Sequence, residues 1–174
     1  MFGVGLNMNL FFRLFILFIT RFARRSLSLL EEGVVSFRAM PNDLDIYGHI
    51  NNGRYLTLMD LGRIDWIWRV GLGAVIRRHS WNPLVAGIHI RYKRPVQVFD
   101  KFEIRTRLVC WDDKWFYIEQ TFFKKGNLVT QALVKGLFRG PEGNVPPQRV
   151  LDGLGAGTVS PAIPEELKST VENL

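Results

Sequence analysis

The chain has 174 residues, of which 47% are hydrophobic and 13% aromatic, and this composition excludes a disordered chain. Its formal net charge of +7 favours anionic partners such as phosphorylated groups or acidic lipids, but no nucleic-acid-reading motif accompanies the charge, so no nucleic acid partner is expected. The single cysteine excludes an intrachain disulfide and suits a cytoplasmic compartment, and the three scattered histidines predict no metal site.

The first predicted element is a hydrophobic and basic N-terminal helix within residues 1–30. Residues 10–20 are apolar apart from Arg13, and three arginines follow within five positions. The apolar run is shorter than the roughly twenty residues that a spanning helix needs, and no small-residue cleavage site follows it. Three interpretations stay open. Residues 8–25 lie on a membrane surface as a peripheral anchor, they pack at an oligomer contact, or they form a cleaved or spanning signal.

The next elements are a strand and a long helix. Residues 33–40 have the composition of a strand, and a polar, turn-rich segment follows them. From 51 to 70 apolar residues recur at three-to-four spacing on several faces, which predicts a helix buried nearly all round. Gly62 within this helix indicates close packing against a sheet, and residues 74–79 predict a further short helix.

Four further strands are predicted after residue 82, because β-branched and aromatic residues become frequent. They cover residues 85–92, 98–110, 114–123 and 128–138, with turns at 112–113 and 125–127. Short turns between consecutive strands favour an antiparallel meander. The expected fold is therefore α+β, with one long central helix wrapped by a curved antiparallel sheet of about five strands. This domain spans 31–140, and 141–174 form a C-terminal tail with a short helix near 164–173.

The polar segment before the long helix holds the candidate chemistry. Asp43, Asp45 and His49 precede Asn51 and Asn52 at the predicted helix start. Exposed amides and the positive end of the helix dipole gather at such a position. This arrangement can bind a polarised oxygen and hold an ionised carboxylate beside it, so the segment is predicted to be the active site.

These residues resemble the hot-dog fold thioesterases of the 4-hydroxybenzoyl-CoA thioesterase-like superfamily. The signature residues here are Asp43, Asp45, Gly48, His49, Ile50, Asn51, Asn52, Gly53, Arg54, Tyr55, Asp60 and Arg63. The strand pattern extends the resemblance over 33–139. The runs at 55–63, 90–94 and 111–117 are similar to a sub-branch whose members carry an N-terminal hydrophobic anchor. One departure is Asp60, where the family usually has a glutamate.

The resemblance implies an acyl-CoA thioester hydrolase. Asp45 matches the catalytic aspartate and would act as general base or nucleophile, while the amides of Asn52 and Gly53 would polarise the thioester oxygen. The candidate substrate-binding residues are His49, Asn51, Arg54, Tyr55, Asp60, Arg63, Arg91 and Arg94. The substrate would be a thioester of coenzyme A or acyl carrier protein, with no further cofactor. Proteins of this fold pair their sheet edges, so a homodimer or homotetramer is expected.

Structural interpretations compete with several of these roles. Asp43 and the two asparagines suit helix capping or turn formation, and Asp60 can pair with Arg63 three residues further on. Cys110 is interpreted as a small buried hydrophobe. The alternative function is a non-catalytic, membrane-associated acyl- or lipid-binding protein of the same fold. A dehydratase is less favoured, because His49 follows Gly48 rather than lying in the usual dehydratase context.

Overall fold

The structure of this protein is a computed structural model that describes residues 4–174, with side chains from residue 10 onward. The described residues form five helices and six strands. The helices are α1 (Val4–Thr20), α2 (Asn52–Arg69), α3 (Leu72–His79), α4 (Pro147–Leu154) and α5 (Glu165–Glu172). The strands are β1 (Gly33–Arg38), β2 (Asn82–Tyr92), β3 (Lys101–Trp111), β4 (Phe116–Lys124), β5 (Asn127–Gly140) and β6 (Gly143–Val145). Each strand and helix predicted for the central domain is present.

The strands form one antiparallel sheet in the order β1, β3, β4, β5, β2, and the short β6 also pairs with β5. The predicted meander is right for β3, β4 and β5 but wrong for β2, which pairs with the far side of β5. Lys125 and Gly126 both have positive φ, as a two-residue hairpin turn requires. The connection 93–100 is longer, and it carries the chain from one side of the sheet to the other.

The long helix α2 packs on the concave face of this sheet, as predicted. Gly62 faces the sheet closely, because an added Cβ there would be 3.0 Å from Ile104 Cγ2. Helices α3 and α4 contribute buried residues to one end of this core, and α5 packs on the opposite face of the sheet against residues of β3, β4 and β5. The predicted α+β fold with a central helix wrapped by a curved sheet is confirmed.

The predicted C-terminal tail contains regular structure. Strand β6 and helix α4 follow the main sheet, and α5 matches the short helix predicted at 164–173. These elements pack on the sheet and on α3. The domain boundaries 1–30, 31–140 and 141–174 stay predictions.

Helix α1 has two different faces. Arg13, Leu14 and Leu17 point towards the domain, and Leu17 belongs to the main core. The opposite face exposes large apolar side chains, namely Phe11, Phe12, Phe15, Ile16, Phe18 and Ile19. No helix in the described part of the chain is long and apolar enough to cross a membrane. The first two residues of the predicted membrane-surface segment 8–25 have side chains that lie outside the described part.

Candidate active site

The polar segment before α2 folds back on itself as a small hairpin. The Asn51 amide donates to the Asp43 carbonyl at 2.9 Å, and the Asp45 amide donates to the His49 carbonyl at 2.9 Å. Between these pairs, Leu44 bridges Ile50. Gly48 adopts a φ of 77° at the tip, which glycine accommodates without strain. The hairpin 43–51 therefore has a base at Asp43 and a tip at residues 46–48.

Asp43 is buried at the base of the hairpin. Its carboxylate accepts hydrogen bonds from Arg54 Nε at 2.8 Å and from Arg13 Nη2 at 2.6 Å. It also accepts the Met40 amide at 2.9 Å, which closes the 3₁₀ turn of Pro41–Asp43. Asp43 thus joins α1, the hairpin and the first turn of α2, in line with its interpretation as a turn residue.

Asp45 lies on the first arm of the hairpin and is only partly buried. Its carboxylate accepts the Tyr47 amide at 2.9 Å and the His49 amide at 3.4 Å. These two donors fix the orientation of the carboxylate. A second oxygen remains available to a water molecule or a substrate, because both amides bind Oδ1.

The N-terminus of α2 follows directly after the hairpin. Asn51 is the N-cap, and its side-chain oxygen accepts the Gly53 amide at 2.9 Å. The Gly53 amide therefore reaches a substrate only when the Asn51 side chain turns away. The Asn52 amide, at the first helical position, has no intrahelical acceptor. Tyr92 on β2 donates its hydroxyl to the Asn52 carbonyl at 2.9 Å, which ties the sheet edge to the helix start.

Two of the predicted substrate-binding residues are buried inside the domain. The Arg54 side chain binds Asp43. The Tyr55 ring lies 5.3 Å from that of Tyr92 and 5.1 Å from that of Phe122, measured between centroids, and burial raises the pKa of Tyr55. His49 is partly buried, with its backbone bridging Gln97. The structure therefore places Arg54 and Tyr55 beneath the site rather than on its surface.

Asp60 and Arg63 form an ion pair further along α2. Burial lowers the pKa of the Arg63 guanidinium, which also donates to Gln120 Oε1 at 2.6 Å. Both residues line an apolar cavity of about 360 Å³ between α2 and the sheet. Other lining residues are Ile64, Ile67, Pro83, Val85, Leu108, Phe116, Ile118, Val134 and Phe138. At 1.5 Å per residue, Asp60 lies about 12 Å along the helix from its start.

A basic cleft lies at the connection that follows β2. The 93–97 connection borders it, and this connection is held to the hairpin by the Ile50 amide, which donates to the Val96 carbonyl at 2.9 Å. The cleft has a volume of about 390 Å³, and its charged lining residues are Arg94, Lys124 and Lys125. Arg91, the other predicted basic contact, is exposed on β2 and donates to His89 Nε2 at 3.2 Å.

Cys110 is separate from this site. It lies in a buried cluster beneath α5, and burial raises the pKa of its thiol to about 11. A thiol with this pKa is protonated at neutral pH, so it does not act as a nucleophile. The structure agrees with its interpretation as a small buried hydrophobe.

One long helix wrapped by an antiparallel sheet, with a carboxylate-bearing hairpin at the helix N-terminus, defines the hot-dog class of thioesterase-like proteins. The family model described as the thioesterase-like superfamily matches residues 40–171. The chain therefore belongs to the thioesterase-like superfamily.

Individual proteins agree with this assignment. The chain is 39% identical to protein THEM6 of Xenopus laevis over 140 residues, which are 80% of this chain and 67% of that protein. It is 30% identical to the long-chain acyl-CoA thioesterase FadM of Escherichia coli over 93 residues, which are 52% of this chain and 70% of FadM. The probable thioesterase YbaW of Escherichia coli has the same fold, with a TM-score of 0.66 and 22% identity over 71% of this chain and 96% of YbaW. The predicted fold and the prediction of a thioesterase are confirmed.

Sequence reasoning missed two concave surfaces that the fold assembles. The apolar cavity combines residues of α2 with residues of four strands, and no local pattern marks these as one surface. Lys124 and Lys125 join Arg94 because the β4–β5 hairpin lies beside the end of β2. The sequence shows that the two lysines lie at a predicted turn. It does not show the strand order that brings this turn to Arg94.

Proposed function

We propose that this protein hydrolyses acyl-CoA thioesters to a free acid and coenzyme A, with Asp45 as the general base or nucleophile. The observation that carries this proposal is the Asp45 carboxylate, which two backbone amides orient on the hairpin that leads into α2. As a base, Asp45 takes a proton from water while the water oxygen attacks the thioester carbonyl carbon. The C–S bond then breaks, and the departing sulfur receives the proton.

The start of α2 supplies the electrostatic part of this reaction. Negative charge develops on the carbonyl oxygen as the water attacks, and amides at a helix N-terminus stabilise that charge. We assign this role to the Asn52 amide, which lies at the first position of α2 and has no intrahelical acceptor. The Gly53 amide joins it when the Asn51 side chain releases it, which links substrate binding to the helix cap.

The basic cleft supports coenzyme A as the thiol part of the substrate. Arg94, Lys124 and Lys125 line a cleft at the 93–97 connection, which the Ile50 amide holds to the hairpin. Guanidinium and ammonium groups bind phosphate oxygens. Lys124 also pairs with Asp100, so this side chain must exchange partners to bind phosphate. The same charges suit the phosphopantetheine of an acyl carrier protein.

The cavity beside α2 supports an apolar acyl group. Its lining is hydrophobic except for the pair of Asp60 and Arg63, and apolar pockets with few polar groups are typical of small-molecule sites. We assign to this pair the predicted contact with substrate, because the two residues are the charged part of the cavity lining.

We further infer a homodimer formed through β2. This strand is one edge of the sheet within the described residues, and most of its side chains are exposed. Unpaired backbone groups on such an edge pair readily with a second strand. Sedimentation velocity of the full chain tests this inference, with a dimer expected and a monomer contradicting it.

Kinetic screening of short, long and aromatic acyl-CoAs tests the hydrolase proposal. In Asp45→Asn the side-chain oxygen still accepts the loop amides, and kcat should fall by about 10²–10⁴, the usual contribution of a general base. Asp112→Asn is a matched control, because Asp112 also accepts two loop amides, from Lys114 and Trp115 at 2.7 Å each. Full activity in Asp45→Asn would show that Asp45 has been assigned wrongly.

A second candidate function is membrane-associated acyl or lipid binding without catalysis. The exposed apolar face of α1 favours it, because such a face can enter the headgroup region of a membrane while the inner face stays on the domain. Saturable acyl-CoA binding without turnover would support this alternative. The membrane contact is tested by sedimentation of the protein with anionic vesicles. The contact is supported if the wild type sediments with the vesicles and the double variant Phe12→Ser, Phe15→Ser does not. Equal sedimentation of wild type and double variant would argue against it.

A further inference from the structure

Arg13 is a buried charge on the inner face of α1, and the other residues of this helix carry no charge. Its guanidinium is almost completely enclosed and binds both carboxylate oxygens of Asp43, with Nη1–Oδ1 and Nη2–Oδ2 distances of 3.2 and 2.6 Å. Nη2 also donates to the Arg38 carbonyl at 2.8 Å, at the end of β1. Burying an ion pair contributes little net stability compared with apolar packing. Docking of α1 therefore does not by itself explain an arginine at this position.

The partner of Arg13 connects it to the active-site hairpin. The carboxylate of Asp43 receives Arg13 on one side and Arg54 of α2 on the other. The backbone carbonyl of the same residue accepts the Asn51 amide, which closes the base of the hairpin. Asp45 follows two residues later on the same arm. A shift of Asp43 would therefore move Asp45 relative to the start of α2.

We propose that Arg13 is a positioning residue for the Asp45 site, so that helix α1 contributes to activity through this side chain. Its planar guanidinium holds Asp43 in a fixed orientation, and Asp43 in turn fixes the hairpin against the first turn of α2. The two parallel hydrogen bonds fix the orientation of the Asp43 carboxylate. A lysine at position 13 would supply the charge but not the paired donors. The effect on turnover rests on the proposed function of Asp45, whereas the effect on the hairpin does not.

The test compares two variants of the full chain that both alter the inner face of α1. Arg13→Met removes the bidentate contact and keeps a long apolar side chain. Leu17→Ala removes core packing from the same helix, because Leu17 is buried in the main core. Hydrogen exchange of residues 43–51 and steady-state kinetics with an acyl-CoA are measured for each, together with thermal unfolding.

Arg13→Met should deprotect the Asp45 and Asn51 amides and leave β4 and β5 protected. We expect kcat to fall by about 10²-fold with little change in KM, as is typical when catalytic groups are slightly misplaced. Arg13→Lys should recover part of kcat. Leu17→Ala should lower the unfolding temperature while the hairpin exchange and the kcat of the folded protein stay near wild type.

Three results would overturn the proposal. The first is a hairpin in Arg13→Met whose amides exchange hydrogen at the wild-type rate. If the methionine variant does not fold, the same measurement is made on Arg13→Lys. The second is equal deprotection in Leu17→Ala, which would assign the effect to helix docking as a whole. The third is a deprotected hairpin with unchanged kcat. If the wild type hydrolyses no acyl-CoA, the proposed function fails, and the exchange measurement still decides whether Arg13 orders the hairpin.

Discussion

Two aspartates separated by one residue occupy opposite environments in this protein. Asp43, at the base of the hairpin, is buried between two guanidinium groups, whereas Asp45 is partly exposed and bound by two backbone amides. A carboxylate enclosed by cations has its oxygens occupied and cannot reach a substrate. A carboxylate held by amides on one oxygen keeps the other oxygen available. The comparison shows that surroundings, rather than residue type, decide which of the two carboxylates keeps an oxygen available to a ligand.

The largest expected effect is on stability, at the base of the hairpin. Asp43→Ala removes the carboxylate that neutralises Arg13 and Arg54, and breaking a buried ion pair in this way costs about 3–5 kcal/mol. Asp45→Ala removes two loop hydrogen bonds and should cost about 1 kcal/mol. Urea denaturation of both variants measures the two free energies of unfolding. An equal loss of unfolding free energy in the two variants would contradict the proposed difference between the two aspartates.

An intermediate effect is expected at the helix cap, where structure and chemistry meet. Asn51→Asp keeps a good N-cap, so the free energy of unfolding should change by less than about 1 kcal/mol. In the proposed mechanism, the new carboxylate would lie near the negative charge that develops on the substrate oxygen. We expect kcat to fall by about 10²-fold, comparable to the loss of one oxyanion donor. Asn51→Ser, also a good cap but uncharged, is the control and should retain most of the activity.

The smallest effect is expected at the tip of the hairpin. Ile46 is 92% exposed, whereas Ile50 near the base is 3% exposed. Ile46→Ser should change the free energy of unfolding by less than about 0.5 kcal/mol, as exposed substitutions usually do. Ile50→Ala should cost about 2–5 kcal/mol through the lost packing. Thermal unfolding of the two variants compares them, and a destabilising tip substitution would show that the tip is covered by another surface.

Much of the fold could be predicted from the sequence because the signals are local. The three-to-four spacing of apolar residues located α2, and Lys125-Gly126 marked the turn between β4 and β5. The position of β2 could not be predicted, since a strand's partner across a long connection depends on packing rather than on nearby residues. Consecutive strands favoured pairing of β2 with β3, and the structure pairs it with β5 instead.

The sequence by itself determined the helix start, the motif around Asp45 and the membership of a thioesterase-like family. Only the tertiary structure decided which side chains meet. It brought Arg13 from α1 to Asp43, thirty positions further along the chain, and it joined α2 to four strands around the apolar cavity. The physical reason is that capping and turn formation depend on neighbours in sequence. The burial of a charge, by contrast, depends on partners that only the packed fold brings together.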